Sequence, residues 1–338
     1  MQRTLIVHHR SGIGDLVWHL PYIRAIARSS EKGKVTIMAR PSCRATDILA
    51  GEECVEEVIE YDHRPRNKAR GRHDGMIGQI QFLLQLRNKK FDRIFIFSNR
   101  VRYGILAMAA GIPVRAGFGF GMVERFFLNF PPYIDRHKNG GSWVYPEATN
   151  FAIAHGFADS PILPKIQVPI SLIDKASEEM SRVPRPRYAF AIGSSEAKKN
   201  WGGKRFLELA KALLNAGCGV LFLGGPAERE YADNMFSTTN GLREGCFQVV
   251  CQPSVLYTAA VLKSCDFCIG NDTGVLNVAV ACDVPALGLF GRTPPLTHDP
   301  LLHAISGQSM DDFTVESILD CLAKLGAPAM SSAISQPA

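Results

Sequence analysis

The sequence predicts an α/β protein: two doubly wound parallel sheets facing a central cleft. Three observations carry this expectation. Short apolar runs alternate with stretches of helical periodicity, several runs end in glycine-bearing turns, and the alternation starts afresh after a polar, proline-bearing stretch at Ser181 to Arg187. Alternating strands and helices build parallel sheets with helices on both faces. Ligands bind such sheets beyond the carboxyl ends of their strands, so two facing sheets would share a cleft.

Arg3 to Val7 is an apolar run followed by Ser11-Gly12-Ile13-Gly14-Asp15, after which Leu16, Leu20, Ile23 and Ile26-Ala27 recur at helical spacing. This predicts strand, glycine turn, helix. Further strands are expected at Val35 to Ala39, Val58 to Tyr61 and Arg93 to Phe97, with a helix over Met76 to Leu86. In the second half, strands fall at Tyr188 to Ile192, Gly219 to Leu223, near Phe247 to Val250, at Phe267 to Gly270 and at Ala286 to Phe290, which closes the series. Helices fall at Lys204 to Leu214, from Glu228, and at Ser254 to Lys263. Residues 311 to 325 predict a final helix, free to pack back on the first domain. The expected organisation is a first Rossmann-like domain over 1–160, a linker over 161–187 that Pro184 and Pro186 favour as extended, a second Rossmann-like domain over 188–326, and a disordered tail over 327–338.

Composition sets outer bounds. A chain of 338 residues with 46% hydrophobic and 21% charged residues and mean hydropathy +0.01 excludes disordered, collagenous and coiled-coil classes. Nine scattered cysteines, an odd number, point to a reducing cytosol, and Cys265 and Cys268 are expected as buried thiols rather than a zinc pair. No secretory signal opens the chain, and Arg115 and Asp283 interrupt the two most apolar stretches, so a cytoplasmic protein is expected, with peripheral contact at the inner membrane left open. The net charge of +6 is uneven: residues 1–160 hold 23 basic and 15 acidic side chains, and 161–338 hold 15 and 17. The basic half is the candidate for meeting something anionic.

Four strand ends carry candidate chemistry. Asp15 opens a helix after a glycine turn, as a functional carboxylate or as a carboxylate that stabilises the helix start. Asn271-Asp272-Thr273-Gly274 stands at a helix N-terminus, suited to phosphate oxygens or to ordinary capping. Ser194, Ser195 and Lys199 would hold a diphosphate, or the lysines are a solvated pair. Glu228, after Gly224-Gly225-Pro226, would accept from ribose hydroxyls, or is a first-turn Glu. His8-His9 lacks a third clustered ligand and there is no Asp-x-Asp, so no metal site is expected.

In order along the chain, Gly12-Ile13-Gly14-Asp15-Leu16 with Leu20-Pro21, Ile112 to Phe118, Lys199-Asn200-Trp201 with Arg205-Phe206, Gly225 to Glu228, and Asp272-Thr273-Gly274 with Pro285 and Phe290-Gly291 resemble the signatures of glycosyltransferase family 9, the ADP-heptose:lipopolysaccharide heptosyltransferases of GT-B fold. The resemblance implies Asp15 as catalytic base, Lys199 as donor-phosphate ligand, Glu228 as ribose contact and Asp272, Thr273 and Gly274 as the donor-phosphate loop, with Ser194, Ser195 and Asn277 beside them. On the acceptor side it implies Gly14, Arg115 and the basic stretch Arg64, Arg66, Lys68, Arg70 and Arg72. Those five alternate, which places them on one side of an extended segment, or on a mobile solvated loop; without them the net charge is +1. The family's usual histidines are replaced by Asn277 and by Tyr145 with Glu147, and its proline after Trp201 by Gly202.

The implied function is inverting transfer of a heptose or related sugar from an ADP-sugar donor to an anionic lipopolysaccharide core or related glycan. The implied partners are that donor and a glycolipid acceptor, with no cofactor and no nucleic acid. Two alternatives keep the fold, a nucleotide-sugar-binding protein with impaired catalysis and a transferase for another sugar. A nicotinamide-dependent oxidoreductase would need the third glycine that Gly12-Ile13-Gly14 lacks. Phe126-Phe127-Leu128 and Phe130 to Tyr133 are expected to pack in the core, with membrane contact as the alternative.

Overall fold

Central strands of a parallel sheet are covered on both faces, so they are apolar along their whole length. The structure, a computed structural model, describes residues 2–63, 69–138, 142–194, 196–237 and 245–328. It divides into two compact units, Met1–Pro164 and Lys165–Ala338.

The first unit holds a parallel sheet of β1 (Thr4–His8), β2 (Val35–Ala39), β3 (Val55–Glu60), β4 (Arg93–Phe97) and β5 (Val114–Gly117), in the order β3-β2-β1-β4-β5. β1 and β2 are buried at every residue, around the apolar runs Leu5-Ile6-Val7 and Ile37-Met38-Ala39. Its helices are α1 (Ile13–Ala27), α2 (Ala45–Ile48), α3 (Gly75–Asn88), α4 (Val101–Ala109), α5 (Met122–Phe127) and α6 (Val144–Ala154). Leu5, Val7, Ile94 and Ile96 share one core with Phe82 and Leu86 of α3 and Tyr103 and Leu106 of α4. The alternate residues Phe95 and Phe97 turn to the other face and meet Phe151 of α6. Strand alternation thus assigns α3 and α4 to one face and α6 to the other.

The second unit holds α7 (Ile170–Glu179), β6 (Arg187–Ala191), α8 (Gly203–Asn215), β7 (Gly219–Gly224), α9 (Arg229–Ser237), β8 (Phe247–Cys251), α10 (Val255–Leu262), β9 (Phe267–Asn271), α11 (Gly274–Ala281), β10 (Ala286–Phe290), β11 (Leu302–Ser306) and α12 (Val315–Lys324). Its sheet runs β11-β10-β9-β6-β7-β8, all parallel, so the winding reverses between β6 and β9. In the first sheet it reverses between β1 and β4. These two points are where the fold gathers loops for ligands.

Three features of the second unit differ from the sequence expectation. The second sheet does not close at β10: Leu302–Ser306 adds an edge strand whose alternating burial leaves little apolar signal. The stretch expected as linker contains α7, which packs on α10. The final helix does not leave its own unit: Ile318 and Leu322 are fully buried in the second core, and α12 packs on α8. The cysteines are free, with Cys265 and Cys268 buried and their thiols pushed up by desolvation.

Candidate active site

In the first unit, the loops leaving β1, β2, β3 and β4 enclose a cavity of about 330 Å³ lined by His9, Arg10, Ser11, Asp15, Arg40, Tyr61, His63, Arg100, Arg102 and Tyr103. Asp15 stands in the first turn of α1, where its side chain accepts from the backbone N–H of Gly12. A Cβ at Gly12 would lie 2.9 Å from Asp15 Oδ2, so glycine at this position is what lets the carboxylate fold back over the turn. Burial raises the Asp15 pKa, opposed by Arg10, whose Nε lies 3.6 Å from Oδ2. Arg10 in turn stacks 4.1 Å above the Trp143 ring.

Behind this group stands Glu147, one turn after Trp143 on α6 and buried to 3% exposure. It accepts from the backbone of His137, while its Oε2 has no hydrogen-bond partner among the described residues. Desolvation pushes its pKa up to about 7, against the pull of Arg136 and Arg10. His8 and His19 are also buried beneath the loop and join through their Nδ1 atoms at 2.9 Å. Burial drives His8 well below the usual imidazole range, His19 to about 3 and the cavity residue His9 to about 4. The basic lining is therefore arginine, with the neutral His9 imidazole among it.

The other acceptor residues expected from sequence are placed unevenly. Gly14 is buried in the first turn of α1. Arg115 is not in the cavity: its guanidinium donates to the carbonyls of Ile112, Pro113 and Phe127, so its donors are used in holding β5 to the following loop. Arg64, Arg66 and Lys68 lie outside the described residues. Arg70 and Arg72 are exposed and do not line the cavity, and their segment does not run extended. It folds back instead, Gly71 donating to Asp74 and Arg72 to Asp62 through their backbone N–H groups. The arginines that do line the cavity, Arg40, Arg100 and Arg102, were missed. Their signal was position: Arg40 directly follows β2, and Arg100 and Arg102 stand where the chain leaving β4 enters α4.

In the second unit a cavity of about 550 Å³ is lined in part by Lys198, Lys199, Asn200, Asp272, Arg292, Thr293 and Ser309. Lys199 sits on a single helical turn, Ala197–Lys199, and its Nζ meets Asp272 Oδ2 at 2.6 Å. What sets this pairing is Asn271, fully buried at the end of β9. Its Oδ1 accepts the backbone N–H of Trp201, and its Nδ2 donates to the carbonyls of Ile192 and Gly193. Trp201 is buried and donates its indole N–H to Phe313, pinning the Lys199 turn from the other side.

Thr273 caps α11 without a side-chain bond, and its buried Oγ1 has no partner among the described residues, beside the first-turn amides that begin at Gly274. Such a helix start suits an anion. Asn277, one turn on, is buried. Glu228 accepts from the Gly225 N–H at 2.8 Å, and its Oε1 lies 3.5 Å from where a side chain at Gly193 would begin. A Cβ at Gly224 would sit 2.7 Å from the Glu228 Cβ, so that glycine admits the carboxylate between the ends of β6 and β7. Ser194 spends its hydroxyl proton on the Glu196 carbonyl, and Ser195 lies outside the described residues. Arg292 and Thr293, after β10, were not anticipated.

Comparison with known proteins places these features. The sequence profile of glycosyltransferase family 9 (heptosyltransferase) matches residues 80–314. Lipopolysaccharide heptosyltransferase 2 of Salmonella typhimurium is 24% identical, over 95% of this chain and 98% of that protein. The Escherichia coli K12 protein of the same name is 24% identical, over 94% and 96%. The structure of E. coli ADP-heptose lipopolysaccharide heptosyltransferase II matches with a TM-score of 0.75 at 20% identity, covering 98% of this chain and 100% of that one. The family 9 glycosyltransferase structure from Veillonella parvula matches with a TM-score of 0.77 at 19% identity, covering 96% and 97%. With the GT-B fold shared across nearly its full length, this chain belongs to glycosyltransferase family 9 and is a glycosyltransferase.

Proposed function

We propose that this enzyme is an inverting heptosyltransferase that moves a heptose from an ADP-sugar to an anionic, lipopolysaccharide-core acceptor. The observation that carries the reading is a half-buried carboxylate, Asp15, in a cavity with four arginines at the switch point of the first sheet. The relatives' names supply the sugar and the acceptor class: the two relatives above are lipopolysaccharide heptosyltransferases, and the similar E. coli structure is that of an ADP-heptose lipopolysaccharide heptosyltransferase.

In this reading the acceptor hydroxyl oxygen attacks the anomeric carbon as Asp15 takes its proton. The bond from that carbon to the diphosphate breaks, its electron pair leaves with the nucleotide diphosphate, and single displacement inverts the centre. Burial makes Asp15 a stronger base, and Arg10 opposes that shift. Arg40, Arg100 and Arg102 would take the acceptor's phosphate or carboxylate groups, for which a guanidinium fork is suited.

The second unit would take the donor. Lys199, Thr273 Oγ1 and the first amides of α11 meet the diphosphate, and Glu228 the ribose. Asp272 is a carboxylate and repels phosphate, so its contribution is to position Lys199, which it holds at 2.6 Å. Neutralising the leaving charge with fixed donors is how such a barrier is lowered.

A thermal-shift panel of ADP-, UDP- and GDP-sugars tests the donor assignment, because a ligand that binds only the native state raises its melting temperature. A response to ADP-heptose above the other nucleotides is expected. Equal response to all three bases, or turnover with a UDP-sugar alone, would overturn it. Binding of ADP-heptose without transfer to any glycolipid would favour a nucleotide-sugar-binding protein.

A further inference from the structure

Helix α3 is apolar on two opposite sides. Gly78, Phe82 and Leu86 are buried toward the sheet. Met76, Ile77, Ile80 and Leu84 fall within an arc of about 100° on the far side, where Met76 is 79% and Ile77 74% exposed. Helix α5 repeats the same spacing with Met122, Val123 and Phe126, of which Phe126 is 76% exposed, so the expectation that this phenylalanine packs in the core is overturned. Helix α4, packed on α5, adds Ile105 and Met108. A surface helix ordinarily turns polar residues away from its buried stripe. Among the described residues, nine of the thirteen exposed large apolar side chains stand on these three helices, of which α3 and α4 cover the same face of the sheet and α5 packs on α4, so the exposures gather on one side of the unit.

We propose that the outer face of α3, α4 and α5 docks this enzyme on an anionic phospholipid bilayer. The charge pattern selects this occupant. Neither α3 nor α4 contains Asp or Glu, and the one acid of α5, Glu124, is buried with its oxygens bonded to the N–H groups of Gly119 and Phe120. Arg87 and Arg125 are exposed on the same helices, and residues 69–130 hold ten Lys and Arg against three Asp and Glu. An apolar face rimmed by cations without acids matches lipid tails below an anionic headgroup layer. A second copy would bring two basic rims together, which is unfavourable.

The surface deepens the proposed function, because α4 belongs to both: Arg102 and Tyr103 line the Asp15 cavity, and Ile105 and Met108 follow within two turns. A glycolipid acceptor anchored in the bilayer would then meet the cavity at the membrane surface.

The test uses the full chain with phosphatidylglycerol–phosphatidylethanolamine vesicles and with phosphatidylcholine vesicles, without donor or acceptor, so its outcome is independent of transfer. The wild type should partition onto the anionic vesicles about tenfold more than onto the neutral ones. The triple variant Ile80→Gln, Leu84→Gln, Phe126→Gln should lose that binding with an unchanged melting temperature, since all three side chains are exposed. In a second protein, Phe126→Trp, indole emission should shift to the blue on anionic vesicles. Equal sedimentation with both vesicle types, an unshifted emission, or a dimer that the triple variant abolishes would each overturn the proposal.

Discussion

Glu147→Gln isolates the buried carboxyl behind the Asp15 group. The Glu147 side chain is 3% exposed, one oxygen lacks a partner, and its pKa is pushed up from 4.5 to about 7. The folded state therefore holds a proton that the unfolded chain releases above about pH 4.5. Stability from this group is fully present below pH 4.5 and is lost as pH rises through 7, because the native state then carries a buried charge whose desolvation outweighs the pull of Arg136 and Arg10. At 1.36 kcal/mol per pKa unit the loss is about 3 kcal/mol. Gln mimics the protonated form and has no such term, so the variant should match the wild type near pH 4.5 and exceed it by up to about 3 kcal/mol at pH 8. The assay is urea denaturation of both proteins from pH 4.5 to 8.5, following the transition of the first unit by Trp143 and Trp18 fluorescence. Parallel pH curves for the two proteins would refute the assignment, since they would mean that Glu147 is ionised in the fold at neutral pH.

Further predictions follow from the same geometry. Replacing Arg100 or Arg102 by Gln should raise the acceptor KM about tenfold with the donor KM unchanged, whereas Arg115→Gln should lower stability and leave both constants alone; steady-state kinetics with each substrate varied separates them. Asn271→Ala strands the N–H of Trp201 and the carbonyls of Ile192 and Gly193, and should cost about 3 kcal/mol in denaturation while raising the donor KM, because the Lys199 turn loses its anchor. His19 stays neutral in the fold to about pH 3 but takes a proton at about 6.5 once unfolded, so it contributes stability above 6.5 that is lost as pH falls. Relative to His19→Phe, the wild type should lose about 1.4 kcal/mol more per pH unit between 6 and 4, read by denaturation at each pH.

The sequence shows the two sheets because their central strands are buried on both faces and so appear as unbroken apolar runs. β11 escaped because an edge strand with alternating burial, Ala304 and Ser306 exposed between half-buried His303 and Ile305, carries half the signal. β5 escaped because four residues that include Arg115 are too short to register. The placement of Asp15, Lys199, Glu228 and the Asp272 loop after strand ends was legible, since each stands in a local motif. Arg40, Arg100 and Arg102 were not, because Arg40 follows β2 while Arg100 and Arg102 follow β4, and only the winding of the sheet brings these two loops together. Arg115 and Arg72 misled in the opposite sense: a cation in sequence does not show whether backbone carbonyls or solvent receive it. Phe126 misled because helical spacing gives an apolar stripe but not what covers it.

The most direct test of heptosyl transfer with Asp15 as base is single-turnover transfer by Asp15→Asn, with ADP-heptose and a lipopolysaccharide-core acceptor, alongside ADP-heptose affinity measured calorimetrically. Asn keeps the volume and the Gly12 contact but cannot take the hydroxyl proton. The account predicts a rate lower by about 10²- to 10⁴-fold with donor affinity unchanged. Transfer at the wild-type rate would contradict it, as would a loss of donor affinity equal to the loss of rate.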